Sequence, residues 1–218
     1  MRSGVFLSGP EGGFHFSPLP RLAQIAPIEG MAAGDFDGDG RADILALHNS
    51  HAPTRVLGRF DGGIGVFLRG DGEGGFALVP AAESGLVVTG DSRALALIDL
   101  DGNGWPDFLA TRNRGKALAL ENRGIPGHRS FSVTLEGPAG NPTAVGARIS
   151  VDWADGRSGT SEVHAGSGSF SQSIASLFFG YKEGDPPIRI RVRWPSGRET
   201  GHNFTPEAAG IRLKSPSR

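Results

Sequence analysis

The sequence predicts an all-β protein in two parts, a short array of strand repeats followed by a small antiparallel β-domain. Three observations predict it. Short apolar runs are broken by turn residues throughout, and 35 of the 218 residues are glycine, against an ordinary share of roughly 7%. Two stretches of chain recur at a period of roughly 60 residues, the mark of a repeat architecture. Near the end, Ile188-Arg189-Ile190-Arg191-Val192-Arg193-Trp194 alternates strictly, which gives a strand one aliphatic face and one arginine face.

The repeats come first. Gly4-Val5-Phe6-Leu7-Ser8-Gly9 leads through Pro10-Glu11-Gly12-Gly13 to Phe14-His15-Phe16. Gly65-Val66-Phe67-Leu68-Arg69-Gly70 leads in the same way through Asp71-Gly72-Glu73-Gly74-Gly75 to Phe76-Ala77-Leu78, and a third partial copy starts at Ala117-Leu118-Ala119-Leu120-Glu121-Asn122. Each unit reads as a hairpin, a link, a strand into an aspartate-rich loop and a strand out of it. Four strands per unit is the make-up of a propeller blade, so two propeller-type blades are expected. Residues 1–128 form this repeat region and 129–218 the terminal β-domain. Propellers close with about four to eight blades, so two make an open arc. The chain is therefore expected to be the C-terminal piece of a longer protein with preceding blades, or to close its arc by self-association. Val5 and Leu7, or Phe6, would then be unusually exposed.

The aspartate loops carry the chemistry. Asp35-Phe36-Asp37-Gly38-Asp39-Gly40-Arg41-Ala42-Asp43 returns as Asp99-Leu100-Asp101-Gly102-Asn103-Gly104-Trp105-Pro106-Asp107. Oxygen side chains occupy the first, third, fifth and ninth positions, and glycines supply the positive φ that so tight a turn requires. Crowded carboxylates repel unless a cation neutralises them, and a hard ion with six to eight oxygen ligands suits the set. Two Ca²⁺ ions are expected, one held by Asp35, Asp37, Asp39 and Asp43 with the Arg41 carbonyl, the other by Asp99, Asp101, Asn103 and Asp107 with the Trp105 carbonyl. An EF-hand is excluded, because its twelfth loop position is a bidentate Glu between helices, whereas Ala46 and Ala110 stand here between short apolar runs.

At this point the repeat region, roughly residues 4–124, resembles the FG-GAP/VCBS repeat, the calcium-loop blade of integrin-α-like propellers. The final third carries a second resemblance. Asn141 followed by Val145-Gly146-Ala147-Arg148, then Gly166-Ser167-Gly168-Ser169-Phe170, Phe179-Gly180 and Arg193-Trp194-Pro195-Ser196-Gly197 are similar to the ASPIC/UnbV domain that follows such repeats in cartilage-acidic-type proteins. Phe179-Gly180-Tyr181-Lys182 departs from that family's usual Phe-Gly-Leu-Gly turn.

Other features have plainer explanations. Net charge is −1 and apolar content 38%, which points to no nucleic-acid or membrane partner. Cysteine is absent, so disulfide, zinc-thiolate and cysteine-nucleophile chemistry is excluded. Met1 to Leu7 reads as a strand, not a leader. Arg69-Gly70-Asp71 spells an integrin-recognition tripeptide but lies in a hairpin turn. Arg189, Arg191 and Arg193 read as a solvated sheet face, with an anionic polymer as the alternative. His15, His48, His51, His128, His164 and His202 show no metal spacing and read as surface or turn residues. Trp153 and Trp194 read as core. No acid–base pair stands out beyond Asp152, Asp155, Glu162 and Glu183, so no enzyme activity and no catalytic residue is expected. The expectation is a calcium-binding extracellular or periplasmic recognition and adhesion module. It would meet a protein or glycan ligand at a cell surface or matrix, and the alternative is a carbohydrate-binding accessory module.

Overall fold

The computed structural model describes residues 2–9, 11–52, 55, 56, 58–206 and 208–216. Met1 and Pro10, at the start and turn of the first expected hairpin, lie outside them. The fold is all-β. In the first half β1 (Gly4–Ser8) and β2 (Phe14–Pro18) pair as a hairpin with Phe6 opposite Phe16. A 3-10 turn (Arg21–Gln24) leads to β3 (Ile28–Gly34), β4 (Asp43–His48), β5 (Val66–Gly70) and β6 (Phe76–Val79), which form one antiparallel meander. After a single helical turn, α1 (Ala81–Ser84), β7 (Ser92–Ile98), β8 (Asp107–Arg112) and β9 (Leu118–Leu120) form the next sheet.

The four-stranded unit is therefore phased differently from the sequence expectation. The aspartate-loop strands pair with the hairpin that follows them, not with the one before. The cause is β4, whose residues are all buried. Its backbone must be hydrogen-bonded on both edges, and it takes β3 on one side and β5 on the other. Its side chains alternate between two cores. Ile44 and Ala46 pack with Leu19, Ala23, Val66 and Leu68, toward the β1–β2 hairpin through Val5. Leu45 and Leu47 pack with Phe36, Leu95, Phe108 and Ala110, toward the β7–β9 sheet. The three sheets stack face to face, as the apolar faces of repeats do.

The hairpin's other face is open. Phe6 is 69% exposed and Phe14 76%, whereas Val5 and Leu7 are half-buried. His48 corrects the surface reading of the histidines. It ends β4 fully buried, with Nε2 at 3.1 Å from the Ala23 carbonyl, and burial lowers its pKa.

The second half comprises β10 (His128–Glu136), β11 (Arg148–Asp152), β12 (Ser158–Glu162), β13 (Leu177–Lys182), β14 (Arg189–Arg193), β15 (Glu199–Asn203) and β16 (Gly210–Lys214). They make two facing sheets, β12-β11-β14-β15 and β13-β10-β16. Between them lie Phe131, Val133, Ile149, Val151, Ile190 and Val192, with Trp153 and Trp194 buried at the rim. One pairing is not antiparallel: β16 runs parallel to β10. It follows β15 of the opposite sheet, so the chain crosses between layers and no hairpin fixes its direction.

Candidate metal centre

Both aspartate loops join two paired strands, β3 to β4 and β7 to β8. Gly38 and Gly40 adopt φ of 76° and 85°, and Gly102 and Gly104 φ of 76° and 84°. A Cβ would be strained at all four, so the loops close as tightly as the spacing requires. The first carboxylate of each loop accepts hydrogen bonds from the glycine amides. Asp35 Oδ1 takes Gly38 N–H at 2.8 Å and Oδ2 takes Gly40 N–H at 2.9 Å. Asp99 repeats this with Gly102 and Gly104 at 2.9 and 3.2 Å.

The ninth residue ties each loop to the neighbouring strand. Asp43 accepts from Phe36 N–H and Gly70 N–H, both at 3.0 Å. Asp107 accepts from Leu100 N–H and Asn122 N–H, both at 2.7 Å. Both are fully buried. The same network is thus built twice from different sequence.

Carboxylate oxygens of Asp35, Asp37 and Asp39 lie within 4.8 Å of one another, and so do those of Asp99, Asp101 and Asp107. Asp43 does not join the first trio, and Asn103 turns its amide onto Asp101 at 2.9 Å. Arg41 and Trp105 hold the seventh positions. Arg41 reaches Asp39 at 3.7 Å, and the Trp105 ring lies where a Cβ on Gly38 would sit 2.8 Å away. Burial pushes the Asp35 carboxyl up to about 7 against the pull of the Gly40 amide, and the Asp43 and Asp39 charges add to the rise. Burial likewise raises Asp43 to about 6 against the Gly70 and Phe36 amides. Buried, crowded, all-oxygen donors of this kind fit a hard cation and do not suit a soft one.

Residues distant in sequence complete the site, and no local motif announces them. Arg69 Nε donates to Asp37 Oδ2 at 2.6 Å. Asn122 donates to the Phe36 carbonyl at 2.9 Å, and the His128 Nδ1 lies 2.7 Å from the Asp37 carbonyl. Ser130 Oγ donates to the Gly104 carbonyl at 2.8 Å. A Cβ on Gly180 of β13 would strike Asp35 Oδ2 and the Gly38 Cα. Both loops therefore rest against the β13-β10-β16 sheet. The glycine of Phe179-Gly180 would have been the available signal, since a strand glycine marks close backbone approach.

The remaining candidates do not converge. Asp71, in the Arg69-Gly70-Asp71 turn, accepts from Glu73 N–H and Gly75 N–H at 2.7 and 2.9 Å, which holds its pKa low. Arg191 grips Asp152 with two bonds of 2.6 and 2.8 Å, while Arg193 and Arg148 stand opposite each other with Glu199 and Glu162 on their outer sides. The arginine face is therefore interleaved with acids. No helix among the described residues is long and apolar enough to cross a membrane.

No curated protein matches the chain. Its second half does match a family: residues 137–215 fit the family model described as ASPIC and UnbV, and this protein carries an ASPIC/UnbV domain there.

Proposed function

We propose that this protein is a non-enzymatic calcium-binding recognition module, in which FG-GAP/VCBS-type blades over residues 4–124 present two Ca²⁺ loops beside the ASPIC/UnbV domain. The observation that carries this reading is the duplicated network. Asp35 and Asp99 organise their glycine amides alike, and Asp43 and Asp107 tie their loops alike, although the intervening side chains differ. Asp35, Asp37, Asp39 and Asp43, and Asp99, Asp101, Asn103 and Asp107, would hold the ions with the Arg41 and Trp105 carbonyls. The cation would supply the positive charge that Asp35, Asp43 and Asp107, which are paired only with backbone amides, otherwise lack. It would hold the loops in shape, and no chemical step is assigned to it. Asp152, Asp155 and Glu183 are paired with Arg191, Arg157 and Arg129, which favours structural over acid–base roles.

The pairing of such blades with an ASPIC/UnbV domain favours an extracellular or periplasmic setting and a protein or glycan partner. Calcium titration by calorimetry on chelator-treated protein tests the reading. Two binding events are expected, and no heat at millimolar Ca²⁺ would refute it. One observation favours the carbohydrate-binding alternative. Phe6, Phe14 and Phe16 share one open face of the β1–β2 hairpin, and aromatic faces bind sugar rings. Glycan binding lost in Phe6→Ala but kept in Asp101→Ala would select it.

A further inference from the structure

The two loops are alike in backbone and differ in how their acids are compensated. In the first sheet β5 pairs with β4 so that Leu68 faces Ile44, and in the second β9 pairs with β8 so that Leu120 faces Phe108. Ile44 and Phe108 each follow the last aspartate of their loop, so Leu68 and Leu120 are structural equivalents. The next residues then correspond as well, Arg69 with Glu121 and Gly70 with Asn122. The hydrogen bonds agree, since Gly70 N–H reaches Asp43 and Asn122 N–H reaches Asp107.

At the first loop two guanidiniums enter. Arg69 lies 2.6 Å from the buried Asp37 carboxylate and also approaches Glu83 at 3.7 Å, while Arg41 reaches Asp39. At the second loop these positions are Glu121 and Trp105. Among the described residues no lysine or arginine pairs with Asp99, Asp101 or Asp107, and Glu121 has only the exposed Arg123, at 3.5 Å. Four carboxylates with two arginines thus face three carboxylates with an acid nearby.

We infer that Arg69 acts as a built-in counter-ion of the first loop, so that the second loop is the tighter Ca²⁺ site and the first the weaker, charge-compensated one. This rests on the calcium reading of both loops. An incoming divalent ion meets a like charge at Asp37 and must displace it or bind beside it. At the second loop no guanidinium among the described residues is paired with the carboxylates themselves, and the one nearby, Arg123, is tied to Glu121. Coulomb interactions at such separations in a partly buried site are large enough to separate the affinities on the order of tenfold or more. Arg69 thereby has a structural purpose without any partner protein: it keeps Asp37 neutralised when calcium is scarce.

The test is a calorimetric Ca²⁺ titration of the whole chelator-treated chain at low ionic strength. Two steps are expected, at least about tenfold apart, with the tighter one abolished by Asp101→Ala. Arg69→Met should tighten the weaker step on the order of tenfold and leave the tighter one in place. Glu121→Arg, on an exposed side chain, should loosen the tighter step by a similar factor, and it decides the matter alone should Arg69→Met not fold. Two equal steps, a weaker step removed by Asp101→Ala, or steps unmoved by either charge variant would overturn the inference while leaving the calcium reading intact. Absence of any binding at millimolar Ca²⁺ would overturn both.

Discussion

Asp43 and Asp152 are both strand carboxylates, the first residue of β4 and the last of β11, yet the molecule treats them in opposite ways. Asp43 is buried beside other carboxylates, with backbone amides as its partners, and its pKa rises. Asp152 lies on the outer face of its sheet in the grip of Arg191 and Ser158, and its pKa falls. The contrast extends to the two halves. The terminal domain packs a contiguous core between two sheets and pairs its acids with its own arginines and lysines, as at Asp152, Asp155, Asp185, Glu183 and Glu136. The repeat half splits its apolar residues between two smaller clusters and concentrates acids at one end of its sheets. Burying a carboxylate without a cation is costly. On the calcium reading proposed above, the repeat half would depend on an added cation and the terminal domain would not.

The largest effect expected from breaking this comparison lies in the terminal domain. Phe131 is fully buried against Phe179, Tyr181 and Phe204, and Phe131→Ala should cost about 3–5 kcal/mol. Because the loss is one of packing, added Ca²⁺ should restore little of it in a denaturant titration.

Gly180→Ala comes next. Its new Cβ meets Asp35 Oδ2 and Gly38 Cα, and overpacking of this kind costs roughly 1–3 kcal/mol. Unlike Phe131→Ala, it should also weaken calcium binding at the first loop, because the collision displaces a ligand. Calorimetry on this variant separates the two effects.

The pH dependence sharpens the comparison further. In metal-free protein Asp35 and Asp43 titrate near 7 and 6, while the unfolded chain titrates near 3.8. Between those values the native state binds more protons than the unfolded one, so the stability of chelated protein should fall as pH climbs from about 4 to about 7. Asp152 has the reverse sign. Its contribution is full above the ordinary carboxylate pKa and is lost as pH falls through the lowered native value. Denaturant midpoints of chelated protein from about pH 4 to 7 check the first slope and midpoints below about pH 4 the second. A midpoint that rises steadily from about pH 4 to 7 would contradict the assignment of Asp35 and Asp43. Because Asp35 and Asp43 must lose their protons to hold a cation, calcium affinity at the first loop should weaken as pH falls below about 7.

The smallest effect is at Arg191→Met. The pair is surface-exposed, so removing it should cost only about 0.2–1 kcal/mol, with calcium binding unchanged.

How much of this was legible in the sequence follows from distance along the chain. The loop positions are local: each oxygen-bearing residue and each glycine is fixed by its spacing, so Asp35 to Asp43 and Asp99 to Asp107 could be read directly. The hairpins and the alternation from Ile188 to Trp194 were legible for the same reason. Sheet phasing was not. The hairpin of Val66 to Val79 contains no mark saying whether it joins the strands before or after it, and the burial of β4 on both faces decides that. His48 was misread because its place at the end of a fully buried strand depends on a neighbour, Ala23. Arg69, Asn122, His128 and Gly180 reach the loops from other strands, so only the fold brings them there. The direction of β16 was hidden too, since it depends on a crossover between sheets.

The central claim is that the repeat half needs a cation and the terminal domain does not. Scanning calorimetry of the whole chain, with chelator and then with excess Ca²⁺, tests it most directly. Calcium should move the unfolding of the repeat half upward, by roughly 2.7 kcal/mol per site at a hundredfold excess over the dissociation constant, and leave the terminal domain's unfolding in place. Superimposable traces with and without millimolar calcium would contradict it.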